Sequence, residues 1–250
     1  MCNNISTADR EKMGNYFQKQ DVLQNQTLKI DEYDHYFHAD GFARPYLPIL
    51  ANDAKDVITP ARWKLIPYWV KTEEEAWKYA NTLNARSEEV YEKASYKNYI
   101  KKNRCLLFAG GFYEPYHPKP RVTVPYYITH IEDAPIAMGC TYADWTNQET
   151  GEVTRTFTII TTEPNDMLSK IHNEGQRMPL ILTPDNWDAW LNDLDKDRTI
   201  QLMRPLQDGH LKAHPVTNDI YKRKLSVEER NTQAMQARVG ESILEPHVLL

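Results

Sequence analysis

The run Arg104 to Tyr116, RCLLFAGGFYEPY, decides the fold. It is apolar and aromatic from Cys105 to Tyr113, which reads as a strand, and it carries a glycine pair, Gly110-Gly111. Glycine in a strand interior marks a close backbone approach or a bulge, and the two readings are compatible. Glu114 follows directly. A carboxyl set among aromatic side chains has its pKa raised by desolvation, as an acid/base group requires.

Similar stretches follow downstream: TVPYYITHI (123–131), PIAMGCTYADW (135–145), TRTFTIITT (154–162) and HLKAHPV (210–216). Strand-like segments in succession imply a mainly antiparallel, barrel-like sheet, and the helical signals between them make the fold class α+β with peripheral helices. Upstream, FARPYLPIL (42–50) alternates and contains two prolines, the mark of an edge strand, and ANDAKDVITPAR (51–62) is rich in turn residues.

Helix signals surround this sheet. Ser6 or Thr7 is the expected N-cap of a helix reaching Gln20, with Met13, Tyr16 and Phe17 at helical spacing. Thr72 and Glu75 form a capping box for a helix through Tyr79, and Ser87 caps another reaching about Ile100. Pro164 to Ile171 reads as a helix ending at His172, and Thr183-Pro184 as an N-cap with proline at the first helical position. Beyond Ser226 the chain turns polar and helix-prone before an apolar end, ILEPHVLL (243–250). The expected organisation is a single domain over residues 1–225 with a C-terminal extension over 226–250.

Composition limits the function classes. At 250 residues, 41% hydrophobic and 26% charged, the chain has the makings of a sizeable core. No apolar run is long enough for a membrane span and Met1 to Arg10 lacks a signal-peptide pattern, so a cytoplasmic protein with no membrane partner is expected. The net charge of -5 has the wrong sign for a generally basic nucleic-acid surface, so any such site must be local. Arg62, Lys64, Arg86, Lys101, Lys102, Arg104 and Arg177 supply candidate local cations. Cys2, Cys105 and Cys140 have no paired spacing, which argues against a disulfide framework or a zinc site, and Cys105 and Cys140 lie in apolar strands as core thiols. No metal or cofactor is expected.

Cys2 follows the initiator methionine. Removal of Met1 would leave an α-amine of pKa about 7.7–8.0 beside a thiol, and that amine is far more nucleophilic at neutral pH than lysine. The amine can form a Schiff base with an aldehyde, and the thiol can close the imine to a thiazolidine.

Five ordered motifs stand behind Cys2: RWKLIPYW (62–69), LNARSE (83–88), RCLLFAGGFYEP (104–115), TIITTEPN (158–165) and RMPLIL (177–182). From Cys2 to about Val216 the chain resembles the SOS response-associated peptidase (SRAP) family. The resemblance implies covalent capture of abasic sites in single-stranded DNA, on a β-barrel-like fold, as a response to DNA damage. It implies Cys2 as the crosslinking nucleophile, Asn84 as the amide bordering its amine, Glu114 as the acid/base and His172 as the imidazole assisting sugar ring opening or proton transfer. Arg86 and Arg177 match phosphate ligands of the family. Trp63 and Trp69, with Tyr68 and Tyr116, are candidates for stacking unpaired bases, although core packing competes for the two tryptophans. Lys64 stands where the family has glycine and adds a cation. Asn3-Asn4 replaces an expected Gly-Arg, Pro115 replaces a tryptophan, and His172 lies farther from RMP than the family's compact H-x-R-M-P. A monomer acting on single-stranded DNA is expected. The alternative class is an N-terminal-nucleophile cysteine peptidase or amidase, in which the Cys2 thiol attacks an amide with its own amine as base.

Overall fold

The computed structural model describes residues 2–19, 28–192, 194–222 and 225–244. Its strands are β1 (Asn4–Thr7), β2 (Lys29–Ile30), β3 (Ala39–Asp40), β4 (Tyr46–Ala51), β5 (Val57–Trp63) and β6 (Asn84–Arg86), followed by β7 (Arg104–Lys119), β8 (Val122–His130), β9 (Ile136–Thr146), β10 (Val153–Thr162), β11 (Met178–Pro179) and β12 (Leu211–Pro215). The helices are α1 (Arg10–Lys19), α2 (Glu73–Lys78), α3 (Asp166–Ile171), α4 (Pro184–Leu191), α5 (Lys196–Leu202) and α6 (Val227–Arg230).

Five strands close a ring: β10 pairs with β5, β5 with β4, β4 with β7, β7 with β9, and β9 with β10. Most pairs are antiparallel, and β10 runs parallel to β5 and β6. The expected α+β barrel-like fold is therefore present. Strand β7 joins its two halves. Its first part pairs with β4 and β9 in the ring, and its second part pairs with β1 and β8.

The glycine pair is where β7 changes phase. Cys105, Leu107 and Ala109 belong to the core cluster that contains Cys2, whereas Leu106 and Phe108 belong to a second cluster. Pairing with β1 steps from Ser6 opposite Gly111 to Thr7 opposite Ala109, so Gly110 is the extra residue of a bulge. Because side chains alternate with period two, one extra residue swaps the faces. Phe112 accordingly joins the Cys2 cluster, and Glu114, two residues on, lies on the same side. A Cβ at Gly111 would stand 2.6 Å from the Ile128 carbonyl oxygen, so the close approach of β8 also requires glycine.

Several local expectations are corrected. FARPYLPIL is not an edge strand: β4 lies between β5 and β7 inside the ring. Its Pro48 faces Pro60 on one rung and pairing with β7 begins only at Ile49, which lets a wall strand carry proline. ANDAKDVITPAR is a turn only in its first part, since β5 starts at Val57. Ser6 and Thr7 end β1, and α1 starts at Arg10 with Asp9 accepting from the Lys12 amide at 2.9 Å. Residues 87–102 form successive turns instead of a helix capped by Ser87. Thr72 and Thr183 do stand at helix N-caps, and His172 closes α3, which starts at Asp166 with Asn165 as its N-cap instead of at Pro164.

The second core cluster anchors the helices. Trp187 of α4 packs edge-on to Phe108 and Phe17, and the Trp190 indole donates to the Cys105 carbonyl at 3.0 Å. Arg104, counted above among local cations, is fully buried: it donates to the carbonyls of Trp190 (2.8 Å), Ile100 (3.0 Å) and Asn192. Residues 226–244 lie against the sheet. The Asn231 side chain accepts from the Phe37 amide at 2.8 Å, and Met235 packs with Tyr113 and Tyr127. Of the apolar end ILEPHVLL, residues 245–250 fall outside the described residues. Among the described residues no helix is long and apolar enough to cross a membrane.

Candidate active site

Cys2 is 1% exposed. It is held by its backbone: the Asn84 amide nitrogen donates to the Cys2 carbonyl at 2.9 Å and to Asn3 Oδ1 at 3.0 Å, while the Gly41 amide donates to the Asn3 carbonyl at 2.8 Å. Asn84 is placed by β6 running along β10, and its own carbonyl accepts from the Tyr96 hydroxyl at 3.2 Å. Burial, and then the nearby Glu114 carboxylate, push the Cys2 thiol well above its ordinary pKa. The sulfur is therefore held as a thiol at neutral pH.

Glu114 is buried behind the bulge, and burial raises its pKa to about 7 against the opposing pull of the positive amino terminus. At neutral pH it can both accept and return a proton. His172 approaches from the end of α3, with Nδ1 2.8 Å from the Arg177 carbonyl oxygen and 3.4 Å from Glu114 Oε2. A carbonyl only accepts, so Nδ1 carries the hydrogen. Burial, with the amino terminus as second cause, lowers the His172 pKa to about 4, so the imidazole is neutral.

The longer connection from His172 to Arg177 does not displace the imidazole. Asn173 bonds the His117 backbone in both directions, accepting at 3.0 Å and donating at 2.8 Å, which ties the connection to β7. Gly175 lies on the ring itself, where a Cβ would be 1.8 Å from His172 Nε2. Gly175→Ala is expected to push the imidazole off Glu114 and slow the site's chemistry by about 100-fold, the scale of a 1 Å misplacement. A time course of that chemistry at neutral pH checks this, and an unchanged rate would remove His172 from it.

Among the described residues, three buried polar atoms of groups that bond to Cys2 or interact with it electrostatically lack a hydrogen-bond partner: Asn84 Oδ1, Glu114 Oε1 and the Tyr221 hydroxyl. Buried polar groups are almost always paired, so three orphans in one place mark a site built for something else. No motif singled out Tyr221; a short turn, Asn218–Tyr221, brings it in.

The candidate DNA ligands do not all come together. Arg86 is exposed, its guanidinium 3.9 Å from Glu89. Arg177 is buried and held by both oxygens of Glu88 at 2.8 and 2.9 Å, and by the Thr161 carbonyl. Two candidates are closed to DNA. Trp63 is fully buried, its indole donating to the Leu83 carbonyl at 2.9 Å. Lys64 is buried with Nζ donating to the carbonyls of Ala76 (3.1 Å) and Tyr79 (3.2 Å) at the end of α2, and burial plus Arg44 and Arg62 lower its pKa to about 8. Its φ of 111° is a glycine-favouring conformation, in keeping with the glycine that the family resemblance implies there. Arg62 is occupied by Glu73 through contacts of 3.0 and 3.1 Å. Trp69 is half-buried between Tyr68 and Tyr79, and the exposed ring beside it is Tyr68.

A barrel-like sheet that presents a buried cysteine near the start of the chain to a carboxyl and a neutral imidazole defines a class of thiol-bearing protein. The chain belongs to the SOS response associated peptidase (SRAP) family, whose model matches residues 1–223. It is 33% identical over 174 residues to the abasic site processing protein YoqW of Bacillus subtilis (strain 168), covering 69% of this chain and 75% of that protein. To the abasic site processing protein HMCES of Gallus gallus it is 29% identical over 189 residues, 67% of this chain and 54% of that protein. A crystal structure of a Bacteroides thetaiotaomicron protein superposes with a TM-score of 0.80 at 32% identity, covering 95% of this chain and all of that one.

Proposed function

We propose that this protein processes abasic sites in DNA by capturing them covalently in single strands through Cys2, made N-terminal by loss of Met1. The observation that carries the reading is a pair of buried acceptors beside Cys2, Asn84 Oδ1 and Glu114 Oε1, that have no partner among the described residues. Together they are suited to an amine that needs acceptors and a base. The names of the relatives, abasic site processing proteins, point to the same substrate.

The chemistry balances on the residues present. The Cys2 amine attacks the aldehyde carbon of the ring-opened sugar as the carbonyl π bond breaks, and Glu114 passes the proton lost by nitrogen to the carbonyl oxygen, giving a carbinolamine. Glu114 then takes the remaining N–H proton and delivers a proton to the hydroxyl, which leaves as water as the imine forms. The Cys2 sulfur then adds to the imine carbon, its proton passes to nitrogen, and a thiazolidine closes. The neutral His172, its Nδ1–H held by the Arg177 carbonyl, stands with Nδ1 3.4 Å from Glu114 Oε2 and walls that side of the carboxyl. A thiol kept protonated suits this late role better than the opening attack that a cysteine peptidase needs.

Intact mass after incubation with a single-stranded oligonucleotide carrying one abasic site tests this. Loss of Met1 with an adduct short of one water is expected; retained Met1 or no adduct overturns the reading. Phosphate contact is assigned to exposed Arg86. Arg86→Ala is expected to reduce the slope of log affinity against log salt by about 0.7, the value of one single-strand phosphate contact. Arg177→Ala, which breaks the pair with Glu88, is expected to lower stability and leave that slope nearly unchanged. Titrations at several salt concentrations separate the two.

A further inference from the structure

Glu114, Tyr126 and Pro215 form one row across β7, β8 and β12. Just past that row, where the Val216 amide donates to the Pro125 carbonyl at 2.9 Å, the chain leaves β12 and makes the turn Asn218–Tyr221. The Tyr221 ring packs on the cluster of Tyr113, Tyr127, Val216, Ile220 and Met235. Its hydroxyl is buried, bonds to nothing among the described residues, and interacts electrostatically with Glu114 and Cys2. The titratable groups that meet here are therefore Cys2, Glu114, His172 and Tyr221.

An unpartnered phenol beside two unpartnered acceptors is the complement the mechanism lacks. Asn84 Oδ1 and the Glu114 carboxylate can receive hydrogens, and while Glu114 is ionised the Tyr221 hydroxyl is the donor among the three orphans. Aldehyde capture generates one group that needs a donor: the carbonyl oxygen, which gains negative charge as the amine adds. Resting on the capture reading, we infer that Tyr221 is a further catalytic residue whose O–H donates a hydrogen bond to the aldehyde oxygen as the Cys2 amine attacks. The bond made is nitrogen to carbon and the bond broken is the carbonyl π bond. Tyr221 stabilises the resulting oxygen and keeps its own proton. Burial first, then Glu114 and Cys2, raise the pKa of this phenol, so it stays a neutral donor throughout the working pH range. Donors aimed at developing oxyanions are among the largest single contributions to such reactions.

Tyr221→Phe keeps the ring and its packing and removes only the donor. The experiment follows imine formation, trapped with borohydride, on a single-stranded abasic oligonucleotide for both proteins over a range of pH. Affinity for the same strand carrying tetrahydrofuran, which has no aldehyde, is measured beside it. The expected result is an initial rate lower by about 100-fold, with unchanged tetrahydrofuran affinity and an unmoved pH midpoint. Equal rates in the two proteins overturn the inference while leaving capture intact. A parallel loss of tetrahydrofuran affinity overturns it in favour of a structural role, and a shifted midpoint overturns it in favour of a residue acting through Glu114. Absence of any adduct with the unaltered protein overturns the capture reading and this inference with it.

Discussion

With Met1 removed, Cys2→Ala is expected to abolish the stable adduct with an abasic strand and still to give an adduct that borohydride traps. Alanine keeps the α-amine, and Asn84 still donates to the carbonyl of residue 2 because that bond is made to the backbone. Imine formation therefore survives. What is lost is the sulfur that closes the ring, so the imine hydrolyses. Denaturing gels with and without borohydride, followed over hours, read both species. A stable adduct of undiminished lifetime in the variant would remove the thiazolidine step. The packing cost of the change is small, because Cys2 is a small buried side chain in a cluster that includes Ile5, Phe112 and Tyr126.

Glu114→Gln is expected to move activity and stability in opposite directions. Acid/base groups typically contribute 10²- to 10⁴-fold, and a loss on the order of 10³-fold in crosslinking rate is expected at pH 7. In the unaltered protein the rate should rise through pH 7, as Glu114 becomes the carboxylate that takes the amine's proton, and level off once the α-amine has lost its own near pH 8. In the glutamine variant the step near pH 7 should vanish, leaving a single rise set by the α-amine near pH 8.

Stability runs the other way. The folded-state pKa of Glu114 is raised from 4.5 to about 7, so its protonated form is favoured by folding. That contribution is fully present below pH 4.5 and is lost as pH rises through 7. Above pH 7 the buried carboxylate costs about 3 kcal/mol relative to its unfolded reference. Glutamine carries no charge, so the variant should gain thermal stability at pH 8 and differ little at pH 4. Melting curves at the two pH values check this, and a variant less stable at pH 8 would show that Glu114 is not desolvated as described. The paired readout also separates lost chemistry from misfolding, which would lower both quantities.

What the sequence by itself determined is local or chemical. The strand run of β7 with its glycine pair, the caps at Thr72 and Thr183, and the motifs holding Asn84, Glu114 and His172 were legible because backbone preference and motif spacing act over a few residues. Only the tertiary structure decided which strands are walls and which side chains are spent on packing. β4 is interior because ring closure gives it a partner on each side. Residues 87–102 are turns whose amide bonds alternate between carbonyls three and four residues back, as from Tyr96 and Lys97 to Lys93, with the Tyr96 hydroxyl fixed on the Asn84 carbonyl and Arg104 on those of Ile100 and Lys101. Trp63, Lys64 and Arg104 were legible as cations and aromatics, yet the barrel wall and α2 bury them, and a buried group meets backbone carbonyls instead of DNA. Tyr221 shows the converse. Its place in the site depends on β12 crossing to β8, a contact between distant parts of the chain that no local pattern encodes.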